Sequence, residues 1–107
     1  MFINSEYHQY KIISKMEFNI DFEAKIYNLK LVLAKDDIES SDTIRMDFGC
    51  VSNFSVKELG GGINQLLYLQ IKDIRDRQWD RVNYEVSEFE RESVYFFCQD
   101  VKITRFS

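Results

Sequence analysis

The sequence of 107 residues contains no proline, one histidine, two cysteines and four glycines, three of them consecutive. So little proline and glycine excludes collagen-like, proline-rich and glycine/serine-linker architectures. No apolar run reaches the length of about 18 residues that a membrane-spanning helix needs, and no secretory leader pattern opens the chain. We therefore expect a single domain over residues 1–107, in the cytoplasm and without a membrane partner.

The charges that are present are nearly balanced and slightly acidic. Lys and Arg number 14 against 18 Asp and Glu, which gives a net charge of −4. Neither half of the chain carries the basic face of a duplex-binding module, so we expect no nucleic-acid partner. Hydrophobic residues make up 45% of the chain, which excludes intrinsic disorder. An acidic domain of this kind can instead bind a basic protein surface.

Apolar residues recur with a period of two, the spacing of half-buried β-strands. Leu29, Leu31 and Leu33, for example, alternate with residues assigned to an outer face. Residues 5–15 also fit helical spacing, so their conformation stays open between helix and strand. The pattern predicts strands over residues 10–21, 25–35, 42–49, 53–58, 65–73, 81–89, 93–98 and 100–106. Short strands joined by polar turns predict an all-β fold, an antiparallel β-sandwich or a partly open barrel of about seven to eight strands.

Signals for catalysis and metal binding are sparse. A Ser-His-Asp or Cys-His arrangement has to use His8, which we interpret as an exposed polar residue near the terminus. That histidine with Cys50 and Cys98 falls short of the four ligands of a structural zinc site, and the spacing leaves open whether the two cysteines pair. The glycine triplet at residues 60–62 lacks the ending of a phosphate loop and is interpreted as a turn. We predict no enzymatic activity, no cofactor and no metal ion.

The segment 72–81 is the region richest in potential binding residues, with four basic and three acidic residues around the only tryptophan. Arg and Trp are enriched in binding hot spots. Two interpretations stay open: Trp79 closes one end of the core while the arginines pair with acidic groups, or the segment offers a partner an Arg/Trp surface. Acidic residues also cluster in a loop at 36–42 and a turn at 88–92. The candidate protein-binding residues are Asp36, Asp37, Glu39, Arg75, Arg77, Trp79, Arg81 and Glu90.

Three stretches of the sequence carry a resemblance to a known group. Residues 77–86 (RQWDRVNYEV), 94–101 (VYFFCQDV) and 48–54 (FGCVSNF) resemble small uncharacterised bacterial proteins. Some of these are similar to predicted immunity proteins of polymorphic-toxin systems. The resemblance extends over residues 42–104. It implies a protein that docks onto a toxin, and it assigns no catalytic residues.

The function that these observations favour is a non-enzymatic protein-binding domain, an immunity-type inhibitor of a bacterial toxin. One alternative is a purely structural or oligomeric role, with a homo-oligomer formed through a strand edge. The other alternative is a small β-barrel that holds an apolar ligand among interior aromatic residues. Those aromatic residues are Phe48, Phe54, Tyr68, Tyr84 and Phe96.

Overall fold

The part of the chain that the structure describes forms eight β-strands, and the prediction of an all-β fold is confirmed. A computed structural model describes residues 7–35, 42–57, 68–89 and 92–106. Every predicted strand is present, most with ends trimmed by one to three described residues, and the fourth begins one residue earlier than predicted. Residue 58 of the fourth prediction and residues 65–67 of the fifth lie outside the described residues. The strands are β1 (Ile12–Asp21), β2 (Ile26–Ala34), β3 (Thr43–Gly49), β4 (Ser52–Val56), β5 (Leu69–Asp73), β6 (Tyr84–Glu88), β7 (Val94–Cys98) and β8 (Asp100–Phe106).

The strands form two antiparallel sheets of four strands each. The first sheet has the order β1-β2-β3-β8 and the second has the order β4-β7-β6-β5. Of the two predicted architectures the open sandwich is the one formed, because the sheets do not close into a barrel across the described residues. In the same part of the chain no helix is long and apolar enough to cross a membrane.

The two sheets are joined at one corner. There β3 and β8, neighbours in the first sheet, connect to β4 and β7, neighbours in the second sheet. Strand β3 leads into β4 through Cys50, whose φ of 53° lies in the left-handed region. Beside it β7 leads into β8 through Gln99, whose backbone N–H donates to the Gly49 carbonyl at 2.8 Å. Strands that bend from one sheet into the other are the usual way to make such a corner. The corner fixes the position of β4 relative to the first sheet.

The core lies between the inner faces of the sheets and follows the predicted alternation. Phe48 of β3 and Phe96 of β7 meet edge to face with ring centres 4.9 Å apart. The side chains that share this core are Tyr10, Leu29, Leu31, Leu33, Ile44, Met46, Phe48, Val51, Leu69, Ile71, Val86, Val94, Phe96 and Cys98. Of the five predicted interior aromatics, Phe48 and Phe96 are buried, Tyr68 and Tyr84 are half-buried, and Phe54 is exposed.

One part of the inner face of the first sheet is not covered by the second sheet. Phe18 of β1 stands opposite Leu29 of β2 in the register, so both belong to the inner face. Leu29 is fully buried, whereas Phe18 is 40% exposed, and its neighbours Met16 and Ile20 on the same face are similarly open. The first sheet therefore projects past the second at its β1 edge and leaves an apolar surface there.

Candidate functional site

The Arg/Trp segment connects β5 to β6 and begins with a single 3₁₀ turn at Arg75–Arg77. The Arg75 side chain folds back onto Asp73, with Nε 3.0 Å from both carboxylate oxygens, and its backbone N–H donates to the same group at 3.0 Å. These hydrogen bonds hold the pKa of Asp73 below its usual range. The Arg75 guanidinium also lies 6.0 Å from the centre of the Tyr84 ring. Arg75 is therefore occupied in shaping the turn.

Trp79 stands out from the surface and does not close an end of the core. Its side chain is 47% exposed, and its ring meets Phe97 edge to face at 5.6 Å. The Arg77 guanidinium lies 5.2 Å from the centre of the Trp79 ring, within the range of a cation–π contact. Within the described residues Arg75 pairs with Asp73, whereas Arg77 and Arg81 form no ion pair. Most of the acidic loops, the other partners considered for these arginines, lie outside those residues. An aromatic ring supported on two sides and open on the third is suited to contact another molecule.

A groove of about 490 Å³ adjoins the end of this segment. Three half-exposed rings form its apolar part: Phe18 lies 5.1 Å from Phe54 and 5.9 Å from Tyr27. We call this feature the aromatic groove. It is lined by Phe18, Lys25, Ile26, Tyr27, Cys50, Val51, Ser52, Asn53, Phe54, Asp80, Arg81 and Val82. Three parts of the chain that are distant in sequence thus meet here, and Arg81 is the one candidate residue that lines it.

The backbone around the aromatic groove is unusually rich in left-handed residues. Six non-glycine residues have positive φ among those described, and four of them line the groove: Lys25 (57°), Cys50 (53°), Asn53 (53°) and Arg81 (59°). This conformation costs about 1 kcal/mol or more for a residue with a side chain, with asparagine the most tolerant of it. Such residues concentrate at sites where function, not stability, fixes the geometry.

The charged lining of the aromatic groove is positive, unlike the protein as a whole. Its charged residues are two cations, Lys25 and Arg81, and one anion, Asp80. Neither cation forms an ion pair with any residue that the structure describes. The groove therefore presents two unpaired cations beside exposed aromatic rings.

The predicted acidic surfaces are described only at their borders. Asp36, Asp37, Glu39 and Glu90 lie outside the described residues. At the end of the first loop, Asp42 accepts a hydrogen bond from the Tyr10 hydroxyl at 2.7 Å and lies 3.9 Å from the Lys35 ammonium.

The second acidic cluster contains one residue that is buried instead of exposed. Glu88 is 1% exposed, and its Oε1 accepts hydrogen bonds from the Ser93 backbone N–H, at 3.1 Å, and from the Ser93 hydroxyl. Its buried carboxylate therefore links the end of β6 to the residue that precedes β7. Part of the acidic pattern in the sequence thus serves the fold.

The side chains that could hold a metal ion are not clustered among the described residues. No set of three or more His, Cys, Asp and Glu side chains there is arranged to hold a metal ion. Both cysteines are free thiols. The interpretation of His8 as exposed is wrong: its ring stacks on Tyr68 at 4.1 Å, and its buried Nε2 has no hydrogen-bond partner among the described residues. Burial, with the nearby charge of Lys11, lowers the pKa of this histidine.

Comparison with known proteins gives one match. A family model described as Immunity protein PIM8 matches residues 1–104. The match reaches beyond the resemblance seen in residues 42–104 and takes in β1 and β2. Searches of the curated proteins and of the solved structures each found no match.

Proposed function

We propose that this chain, which belongs to the immunity protein PIM8 family, is an inhibitor that binds a protein toxin and blocks it without catalysing a reaction. The observation that supports a binding role most directly is the position of Trp79. A side chain of this size is normally buried, yet 47% of it is exposed while Phe97 and Arg77 hold the ring in place. A fixed, exposed Trp/Arg pair binds a partner with little loss of side-chain entropy.

The proposed contact surface is centred on Arg77, Trp79 and Arg81. Arg77 and Arg81 form no ion pair with the described residues, so both guanidinium groups are available to a partner. Arg75, which the sequence places in the same set, contributes by holding the turn through Asp73. Asp36, Asp37, Glu39 and Glu90 remain proposed contacts from the sequence alone, because their charges favour a basic partner.

The small-ligand alternative has one observation in its favour. The aromatic groove has a volume of about 490 Å³, within the range of ligand sites in proteins. It is open along the surface and is bordered by charged side chains, which fits a peptide segment better than an enclosed apolar ligand. We therefore treat ligand binding as a second candidate that shares the groove.

The test of the proposed function is neutralisation of a toxin by the whole chain. The proteins encoded beside this gene are each expressed in a sensitive host with and without the chain, and complex formation with any that is toxic is measured by calorimetry on the purified proteins. We expect restored growth and a stable complex. Trp79→Ala should weaken the complex by about 30-fold or more, the loss typical of a hot-spot residue.

The matched control is Phe22→Ala, which removes another large exposed ring. Phe22 is 82% exposed in the turn between β1 and β2 and lies outside the proposed contact surface. This variant should bind as the parent does. The proposal is overturned if the parent chain neither restores growth nor binds the toxin domain, or if Trp79→Ala binds unchanged.

A further inference from the structure

We propose that the aromatic groove receives an apolar side chain of the partner that lies next to one carboxylate, and that Lys25 and Arg81 bind this carboxylate. The inference rests on the proposed function and names the chemistry of the partner segment. The occupant is therefore a short segment of the toxin protein in which one acidic residue lies next to an aromatic or aliphatic residue. Three independent features of the groove support this assignment.

The first feature is the apolar surface that the fold leaves uncovered. Phe18, Tyr27 and Phe54 are 40%, 45% and 36% exposed, although Phe18 and Tyr27 belong to the inner face of their sheet. A soluble protein rarely leaves a cluster of aromatic rings open unless another molecule covers it. The volume of about 490 Å³ accommodates a large side chain together with its backbone.

The second feature is charge complementarity. In a protein with a net charge of −4, the charged lining of the groove is two cations and one anion. Because Asp80 offsets one of the two cations, the lining is matched by a single carboxylate and not by a run of them. Arg81 can bind a carboxylate through two parallel hydrogen bonds, which the ammonium of Lys25 supports as a point charge.

The third feature is the backbone conformation at the two cations. Lys25 and Arg81 have φ values of 57° and 59°, which most residues other than glycine and asparagine avoid. Glycine at either position would relieve this strain. The fold therefore places two cationic side chains at positions where glycine would be less strained, and both side chains line the groove.

The occupant does not enter as a strand added to β4. β4, which borders the groove, is the edge strand of its sheet, but its pairing register is irregular between Ser52 and Ser55 and Asn53 is left-handed. A short, bulged edge strand is a poor template for strand addition. The open rings of the groove are thus the part of this edge that can be contacted.

The test uses three capped tripeptides titrated into the intact protein and followed by amide chemical shifts. Their sequences are glycine-phenylalanine-aspartate, glycine-phenylalanine-asparagine and glycine-alanine-aspartate. We expect shifts at the groove residues with the first peptide. Binding of the second and third should be weaker by about fivefold, because each lacks either the ion pair or the ring.

Glycine variants separate the role of the side chains from that of the backbone. Lys25→Gly and Arg81→Gly keep a conformation that glycine adopts freely, and both should fold normally and lose the preference for the aspartate peptide. The matched control is Gln78→Gly, the same change at a φ of 57° outside the groove lining, which should retain the preference. Equal binding of the aspartate and asparagine peptides would overturn the inference in favour of an apolar ligand, as would the absence of shifts in the groove.

Two further measurements separate this inference from the proposed function. If groove shifts depend on protein concentration alone, a second copy is the occupant and the inference is wrong. Alkylation of Cys50, which lines the groove, should weaken the toxin complex by about tenfold or more if the groove is filled by the toxin. An alkylated protein that binds the toxin unchanged overturns the inference and leaves the proposed function standing. Peptide binding without any toxin complex would overturn the proposed function, although the groove would still bind a segment of this chemistry.

Discussion

The Phe18 ring of β1 lies 5.1 Å from the Phe54 ring of β4, so the edge strands of the two sheets meet through two half-exposed side chains. Phe54 in turn lies 5.8 Å from Phe96, which contacts Phe48 at 4.9 Å. A continuous row of four rings therefore runs from the surface into the core. The floor of the aromatic groove is therefore in contact with the core through Phe54.

The two ends of this row should respond differently to substitution. Phe48→Ala removes a ring that is 1% exposed and should lower the free energy of unfolding by about 3–5 kcal/mol. Phe18→Ala removes a ring that is 40% exposed and should lower it by about 1 kcal/mol. Urea denaturation of both variants measures the difference. Equal losses would show that Phe18 belongs to the core and not to an open surface.

Glu88 should be important for stability although it lies in a charged stretch of sequence. Glu88→Ala leaves the backbone N–H and hydroxyl of Ser93 without this acceptor in a buried position, which should lower the free energy of unfolding by about 2 kcal/mol. The control is Glu17→Ala, because Glu17 forms only exposed ion pairs with Lys15 and Lys30 and should change it by less than about 0.5 kcal/mol. Similar values for the two variants would contradict the buried role.

Stability should fall as the pH drops below the ordinary pKa of histidine, 6.5. Burial against Tyr68, with the nearby Lys11 charge, lowers the pKa of His8 in the folded state. The unfolded chain therefore binds the proton at a higher pH than the folded chain, and protonation favours unfolding. His8→Phe keeps the stacked ring and should lose this part of the pH dependence. Urea denaturation at about pH 7.5 and about pH 5 measures the free energy of unfolding of both proteins. An equal change between the two pH values in both proteins would contradict this role of His8.

The two thiols should differ in reactivity. Burial, with the nearby charges of Asp100 and Cys50, raises the pKa of Cys98 to about 12, so almost none of it is thiolate at neutral pH. Cys50 is half-buried at the groove. A disulfide reagent should therefore modify one thiol in the native protein and two after denaturation. Rapid reaction of both thiols in the native state would contradict the burial of Cys98.

The eight strands could be predicted from the sequence because each is a local pattern. Leu29, Leu31 and Leu33 alternate in the sequence and are buried on one face of β2. The same alternation predicts burial for Phe18, which stands opposite Leu29 and is nevertheless open. Leu29 and Phe18 differ in burial because the second sheet covers only part of the first. The extent of that cover depends on pairing between distant strands and not on the alternation within one strand.

Only the part of the candidate site that is contiguous in sequence could be predicted. The composition of residues 72–81 identified an Arg/Trp segment, but not which arginine is free, because that depends on the 3₁₀ turn that brings Arg75 onto Asp73. The aromatic groove was missed, since it combines three distant parts of the chain. Its one local signal, the alternation of Met16, Phe18 and Ile20 next to a turn, is also the ordinary pattern of a buried strand.

The pairing of β3 with β8 has a consequence for the time at which the first sheet becomes complete. This ladder joins residues 43–49 to residues 100–106 and completes the first sheet. Contacts between such distant segments slow folding, and domains dominated by them fold in milliseconds to seconds. A newly synthesised chain therefore passes through an interval in which β8 has not yet docked. Binding of any partner that needs the complete first sheet would then begin only after this pairing.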